Sequence, residues 1–343
     1  MKLTIQKIIR KEICHYASPE LLITSLYNRI FVEKEGQEQI IDLPKDKFWK
    51  RGLALSRLAR RALRLDKCNV VPVADGLVIL RQGKVYHFSE ATQELTPTLD
   101  LKYCRNVLHQ SILSLDGKEL YFGEYGSNPN REEIPVYRSL NAGKSWETAF
   151  LFPAKKIRHI HGCYFDPFEE KIWVLTGDFK DECHILCTNK NFNDIEWIGN
   201  GQQVYRTCNL FFEEDAVHWI MDSQLENSYH IRLDRKTRKI EILQLFPGPV
   251  WYIKRLSDGY YLAGTANEIG EGVHDKYTHL MVSKDLETWE DAYLFRHDGL
   301  PKRFFKFGIL SFADGPQSSD AFYVFMEGLR GFDGKIALCS LYE

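Results

Sequence analysis

Much of what usually assigns a protein is missing from this chain of 343 residues. It has no uninterrupted apolar run of about 18 residues, so no membrane-spanning helix is expected. Charge breaks the opening MKLTIQKIIRKEICHY every few residues, so a secretory signal is not expected either. A G-x-x-x-x-G-K-[ST] loop and a G-x-S-x-G elbow are both absent, which excludes a P-loop nucleotide site and an α/β-hydrolase serine. GTANEIGEG is rich in glycine but lacks the strand–helix context and the spacing that would cradle phosphates. No excess of one charge exists: 45 Lys and Arg against 47 Asp and Glu leave a net charge of −2, so nucleic acid is not an expected partner. Paired cysteine motifs are lacking as well. Cys14, Cys68, Cys104, Cys163, Cys183, Cys187, Cys208 and Cys339 are scattered, and the single C-x3-C at Cys183 and Cys187 is a weak zinc signal without a second pair. Reduced core thiols in a cytoplasmic protein are the expectation.

What the chain does have is aromatic residues, at 13%, and repetition. From about residue 68 it restates one pattern: a strand, a turn of Asp-Gly or clustered acids, and a second aromatic-rich strand. VVPVADG–LVILRQG, QSILSLDG–ELYFGEYG, GCYFDPFEE–KIWVLTGD, TCNLFFEED–AVHWIMDS, YIKRLSDG–YYLAGTAN and GILSFADG–AFYVFMEG are the six versions. Asp, Gly or Pro between apolar runs is hairpin chemistry. The units begin near residues 69, 107, 159, 205, 250 and 305. That period, with weaker strands completing each unit, predicts the all-β fold of a β-propeller as a single domain over residues 1–343. LLITSLYNRIFVEKEGQEQIIDLP looks like a further blade, completed by the preceding KIIRKEICHY. Seven blades are expected, with six plus an N-terminal extension as the alternative.

Residues 47–66, KFWKRGLALSRLARRALRLD, interrupt the pattern. Leu55, Leu58, Ala62 and Leu65 recur at helical spacing, which predicts an inserted basic amphipathic helix. Two uses are open. The apolar stripe packs on the propeller, or Arg57, Arg60, Arg61 and Arg64 cluster on one side and attach residues 50–64 to an anionic membrane surface or a partner protein.

SLNAGKSW, Ser139 to Trp146, resembles the Asp-box, S-x-D-x-G-x-[ST]-W, of sialidase-like propellers built from BNR repeats. Asn141 stands at the Asp position, while Ser139, Gly143, Ser145 and Trp146 match. SKDLETW, Ser283 to Trp289, is similar to a second box with Asp285 kept and one residue fewer. The resemblance implies that both boxes are structural turns between third and fourth strands, on the face away from any active site. It does not bring the arginine triad or the Tyr–Glu pair of a sialidase. HIHGCYFDPFEEKIWVLTGD also resembles poorly characterised members associated with bacterial surface polysaccharides.

Antiparallel pairing places the start of each first strand beside the end of the second, at one mouth of the expected channel. Aligned by their turns, the units put His109, His161, Arg206, Trp251 and Lys306 at or beside the first position. The second position receives Arg81, Glu124, Asp178, Asp222, Thr265 and Glu327. His159 shares a side with His161, Tyr205 neighbours Arg206, and Arg105 and Arg158 lie just outside. Strand ends meet water, so solvation alone is one source of such charges. The other is a sugar site. His109, His161, Glu124, Asp178, Asp222 and Tyr205 would then be catalytic candidates, and Arg158, His159, Arg206, Trp251, Lys306 and Glu327 substrate-binding ones.

Three functions follow. The first is a glycosidase or lyase acting on an acidic glycan in surface-polysaccharide metabolism, with no cofactor. The second adds a divalent metal held by His109, His159 and His161 with Glu124 or Asp178, although no tight spacing motif supports it. The third is a non-catalytic glycan-binding or assembly platform that docks through the basic helix.

Overall fold

Each Asp-Gly turn read from the sequence closes a hairpin. At Asp116–Gly117 both residues have positive φ, 50° and 66°, the backbone that a tight two-residue hairpin needs. The computed structural model describes residues 1–9, 11–46 and 48–343; Arg10 in the predicted N-terminal strand and Lys47 at the start of the predicted insertion lie outside the described residues. Seven four-stranded antiparallel sheets make it a seven-bladed β-propeller. The six expected unit starts fall at or shortly before first strands beginning at Asn69, Leu113, His159, Phe211, Val250 and Ile309.

The N-terminus matches the expectation in part. Ile13–Ala17 is the first strand of the first blade, whereas Lys2–Ile9 pairs antiparallel with Lys335–Tyr342 and supplies the fourth strand of the last. Edge pairing across the two ends of the chain leaves no trace in local sequence, so periodicity could not assign this strand.

By contacts the chain divides into two compact units. One is residues 68–246, the second to fifth blades. The other combines residues 1–67 with 247–343 and holds the first, sixth and seventh. In the first of these units, neighbouring blades share apolar layers, such as Trp173, Leu175, Ile185, Val217, Trp219 and Ile231 from the fourth and fifth. Second strands are covered on both faces, so Lys171–Gly177 reads as an almost continuous apolar run.

Both Asp-box-like stretches lie between third and fourth strands. The Ser139 hydroxyl accepts from the Gly143 N–H at 2.9 Å, and Asn141 Oδ1 accepts from the Ser145 N–H at 3.0 Å. Ser283 and Asp285 repeat the device, accepting from Leu286 and Thr288 at 2.9 Å each. Asn189 and Asp234 close the corresponding turns of the fourth and fifth blades in the same way, without matching the box consensus.

The insertion is not one helix but two short ones, α1 (Phe48–Leu53) and α2 (Arg57–Leu63), broken at Ala54–Ser56, where Ser56 caps α2. Its orientation departs from the packed stripe, since of Leu55, Leu58, Ala62 and Leu65 only Leu65 is buried, and three of the four arginines turn inward. Arg57 pairs with Asp66 and Asp333, Arg60 with Glu12, and the fully buried Arg61 with Asp298, while Leu55 and Leu58 face solvent. The buried Glu12 and Asp66 and the half-buried Asp298 and Asp333 draw the arginines inward, an interaction that helical periodicity cannot reveal.

Candidate functional site

The fourth blade opens with His159–Asp166 paired to Lys171–Gly177. His159 sits opposite Gly177, so Asp178 emerges beside it. The ladder slips between Ile160 and Gly162, leaving His161 at a bulge, a device that re-aims a side chain. Both imidazoles thereby reach one atom: His159 Nε2 lies 3.3 Å and His161 Nε2 3.1 Å from Asp178 Oδ1. Gly177 allows this approach, because a Cβ there would stand 2.6 Å from His161 Cε1.

Two guanidiniums complete the surround. Arg158 Nη1 donates to Asp178 Oδ2 at 2.7 Å. Arg206, set by the turn Gln203–Tyr205, donates from Nη1 to the Asp178 carbonyl at 3.1 Å and places Nη2 3.4 Å from Oδ1. The Asp222 N–H bonds to the Arg206 carbonyl, which brings the Asp222 carboxylate within 3.5 Å of Arg206 Nε. Cys208 Sγ donates to the same carboxylate at 3.3 Å.

The two carboxylates are tuned apart. Burial alone would raise Asp178, but hydrogen bonds and charge from His159 and His161 outweigh it and hold the carboxyl well below the usual range. At Asp222 burial prevails over the opposing pull of Arg206 and raises the pKa. Burial also lowers the pKa of His159, against the pull of Asp178.

His159 Nδ1 donates to the Gly126 carbonyl at 2.7 Å and His161 Nδ1 to the Thr207 carbonyl at 2.8 Å. A neutral ring so fixed turns its Nε2 lone pair toward Asp178 Oδ1, so a proton or a cation between them relieves the contact. Fixed Nδ1–H tautomers and a shared carboxylate resemble metal-ligand geometry, and the three ligand atoms lie within 4.8 Å of one another. The adjoining Arg158 and Arg206 oppose a divalent charge here, and the set suits a proton better.

An exposed aromatic borders the cluster. Phe179 is 44% exposed, with Arg158 Cζ 5.4 Å and Arg131 Cζ 5.6 Å from its ring centroid. Neither Phe179 nor Arg131 was singled out from sequence, although an aromatic directly after Asp178 was a visible signal. Tyr125, also missed, stacks on His159 with ring centroids 4.2 Å apart.

Of the predicted residues, Arg158, His159, His161, Asp178, Arg206 and Asp222 come together. Glu124 does not join them. It is fully buried and accepts from the backbone N–H groups of Lys102 at 3.0 Å and Cys104 at 3.1 Å and from Tyr137 Oη at 2.9 Å, which makes it a loop clasp. Tyr205 turns its ring onto Trp219, and His109 is buried in the loop before the third blade. Trp251, Lys306 and Glu327 belong to the other unit. There Trp251 Nε1 donates to Glu268 at 2.8 Å, Glu327 pairs with Lys67, and burial lowers the Lys306 pKa. A separate cleft of about 470 Å³ lies on the third blade, lined by Lys102, Tyr103, Glu132, Tyr137 and Thr148 among others. It holds none of the cluster, and its residues offer no comparable convergence of charge.

No protein family's sequence profile matches the chain, and no curated protein matches it. Solved structures do. Oligogalacturonate lyase from Vibrio parahaemolyticus is similar with a TM-score of 0.53 at 9% identity, over 98% of this chain and 93% of that one. PorZ, a surface component of the type-IX secretion system of Porphyromonas gingivalis, gives 0.53 at 11% identity, over 99% of this chain but 39% of that one. A chain of the mitotic checkpoint complex gives 0.54 at 7% identity, over 99% of this chain and 95% of that one. Such different proteins at such identities share the propeller fold alone.

Proposed function

We propose that the protein is a carbohydrate-active propeller that binds an acidic glycan at the fourth blade and acts on it by elimination. The observation that carries this is the pairing of an exposed Phe179 with Arg131 and Arg158, backed by the His159–Asp178–His161 cluster. A pyranose ring stacks on an aromatic, and a uronate carboxylate takes a guanidinium in bidentate fashion. Arg158, with its side chain 26% exposed, is the group able to exchange Asp178 for a substrate carboxylate.

Elimination needs no water and no redox partner. A base removes the proton next to the uronate carboxylate, and those electrons form a carbon–carbon double bond. The glycosidic C–O bond then breaks, and the leaving oxygen takes up a proton. The imidazoles of His159 and His161, linked through Asp178, form a proton relay suited to that exchange. An oligogalacturonate lyase of similar fold is an instance of a propeller that serves an acidic glycan. The two Asp-box-like turns support kinship with sialidase-like propellers. Eight free, buried cysteines support residence in a reducing compartment such as the cytoplasm.

One observation favours a second reading. His159 and His161 are only 2% and 1% exposed, as befits a latch between blades in a non-catalytic glycan-binding platform. Uronate oligosaccharides distinguish the readings. Elimination gives a product with new ultraviolet absorbance, lost in Arg158→Ala; calorimetric binding without that product favours the platform. Neither binding nor product across the panel overturns both.

A further inference from the structure

A surface helix ordinarily buries its leucines and exposes its arginines. The inserted pair does the opposite. Arg57, Arg60 and Arg61 have side chains 22%, 14% and 0% exposed, clasped by Glu12, Asp66, Asp298 and Asp333. Leu53, Leu55, Leu58 and Leu63 are 43%, 87%, 48% and 40% exposed. The short α3 (Lys302–Phe305) packs against α2 and adds Phe304 at 62% exposure. Five large apolar side chains thus stand outward on elements tied down by ion pairs.

The charge left outside has one sign. Arg51, Arg64 and Arg303 are exposed beside these side chains, and no acidic residue occurs from position 47 to 65. Like charges on a self-complementary contact would repel, which disfavours a second copy of this chain. An apolar face with a cationic border suits the boundary between lipid headgroups and acyl chains of an anionic leaflet, where leucines and phenylalanine enter and arginines meet phosphate. Among the described residues no helix is long and apolar enough to cross a membrane, and α1, α2 and α3 have the length to lie on one.

We infer that the α1–α2–α3 face is a docking surface for an anionic lipid bilayer, held ready by the buried arginines. This inference is independent of the glycan chemistry. The test is flotation of the full chain with vesicles of phosphatidylcholine and phosphatidylserine in a seven-to-three ratio, against phosphatidylcholine alone. Binding is expected only to the anionic vesicles, weakening as salt rises. Leu55→Glu with Leu58→Glu should lower partitioning about tenfold or more, and Arg64→Glu should lower it by less. Leu55→Ser, at the most exposed of these leucines, serves as the variant whose melting temperature should stay that of the parent. The inference is overturned if the parent ignores anionic vesicles or if folded Leu55→Ser and Leu55→Glu/Leu58→Glu variants bind as the parent does. It is equally overturned if sedimentation equilibrium shows a dimer that Leu58→Glu dissociates, or if the face binds a soluble acidic protein and not lipid.

Discussion

Arg206 grips Asp178 twice, through the backbone carbonyl at 3.1 Å and beside the carboxylate at 3.4 Å, and with its remaining nitrogen lies 3.5 Å from Asp222. One planar guanidinium thereby fixes the spacing of two carboxylates whose pKa values are displaced in opposite directions. Arg206→Leu leaves two buried acids with less compensation and should cost about 3–5 kcal/mol in denaturant unfolding. Arg206→Lys keeps the charge but cannot span three acceptors, and should recover only part of that loss.

Gly177→Ala tests the packing behind the imidazoles. The added methyl meets His161 Cε1 at 2.6 Å and Nε2 at 2.9 Å, so the ring must swing away from Asp178. A destabilisation of about 1–3 kcal/mol is expected, together with a changed His161 ring resonance in NMR titration.

Glu124→Gln separates clasp from catalyst. The carboxylate accepts from the backbone at Lys102 and Cys104, where a Gln amide offers a donor to face another donor. Stability should fall by about 1–3 kcal/mol while affinity for an acidic oligosaccharide stays unchanged. Lost affinity at unchanged stability would return Glu124 to the site.

Acid should weaken the fold through its buried histidines. Burial lowers His218 from 6.5 to about 4, and it shares a hydrogen bond of 3.1 Å with His230. Burial likewise lowers His15 from 6.5 to about 3. For a histidine depressed in the folded state, the unfolded chain takes up the proton first. Stability is therefore complete above 6.5 and falls as the pH drops toward those values. Each group contributes a slope of about 1.4 kcal/mol per pH unit. Chemical denaturation at a series of pH values measures the sum, and His218→Gln should remove one such contribution.

Arg61→Ala should destabilise the chain far more than Leu55→Ala. Removing the first takes the guanidinium from Asp298 and leaves Asp333 with Arg57 alone, an effect of about 3 kcal/mol, whereas the second touches a side chain 87% exposed and should stay within about 0.5 kcal/mol. Thermal melts of the two variants give the comparison, and the order is the reverse of what a conventional surface helix would show.

The hairpins were legible because their information is local. Asp116–Gly117 demands positive φ, and Lys171–Gly177 carries an apolar run, whatever surrounds them. His161 and Asp178 could be joined from sequence because antiparallel pairing makes neighbours of a hairpin's two ends. Glu124 occupies the equivalent position in its own blade and looked the same. Only the loop at Lys102–Cys104, folded back to offer its N–H groups, gives it another task.

By itself, then, the sequence determined the repeated β units of a propeller, their turns, and the polar residues at one end of each hairpin, since side-chain period and turn stereochemistry act over a few residues. Tertiary structure decided the rest. It chose which polar ends meet at Asp178, placed Phe179 and Arg131 beside them, paired Lys2–Ile9 with Lys335–Tyr342, and turned the arginines of α2 inward. Those outcomes depend on charges and strand edges far apart in the chain, whose electrostatic and hydrogen-bond energies exist only once folding has brought them into contact.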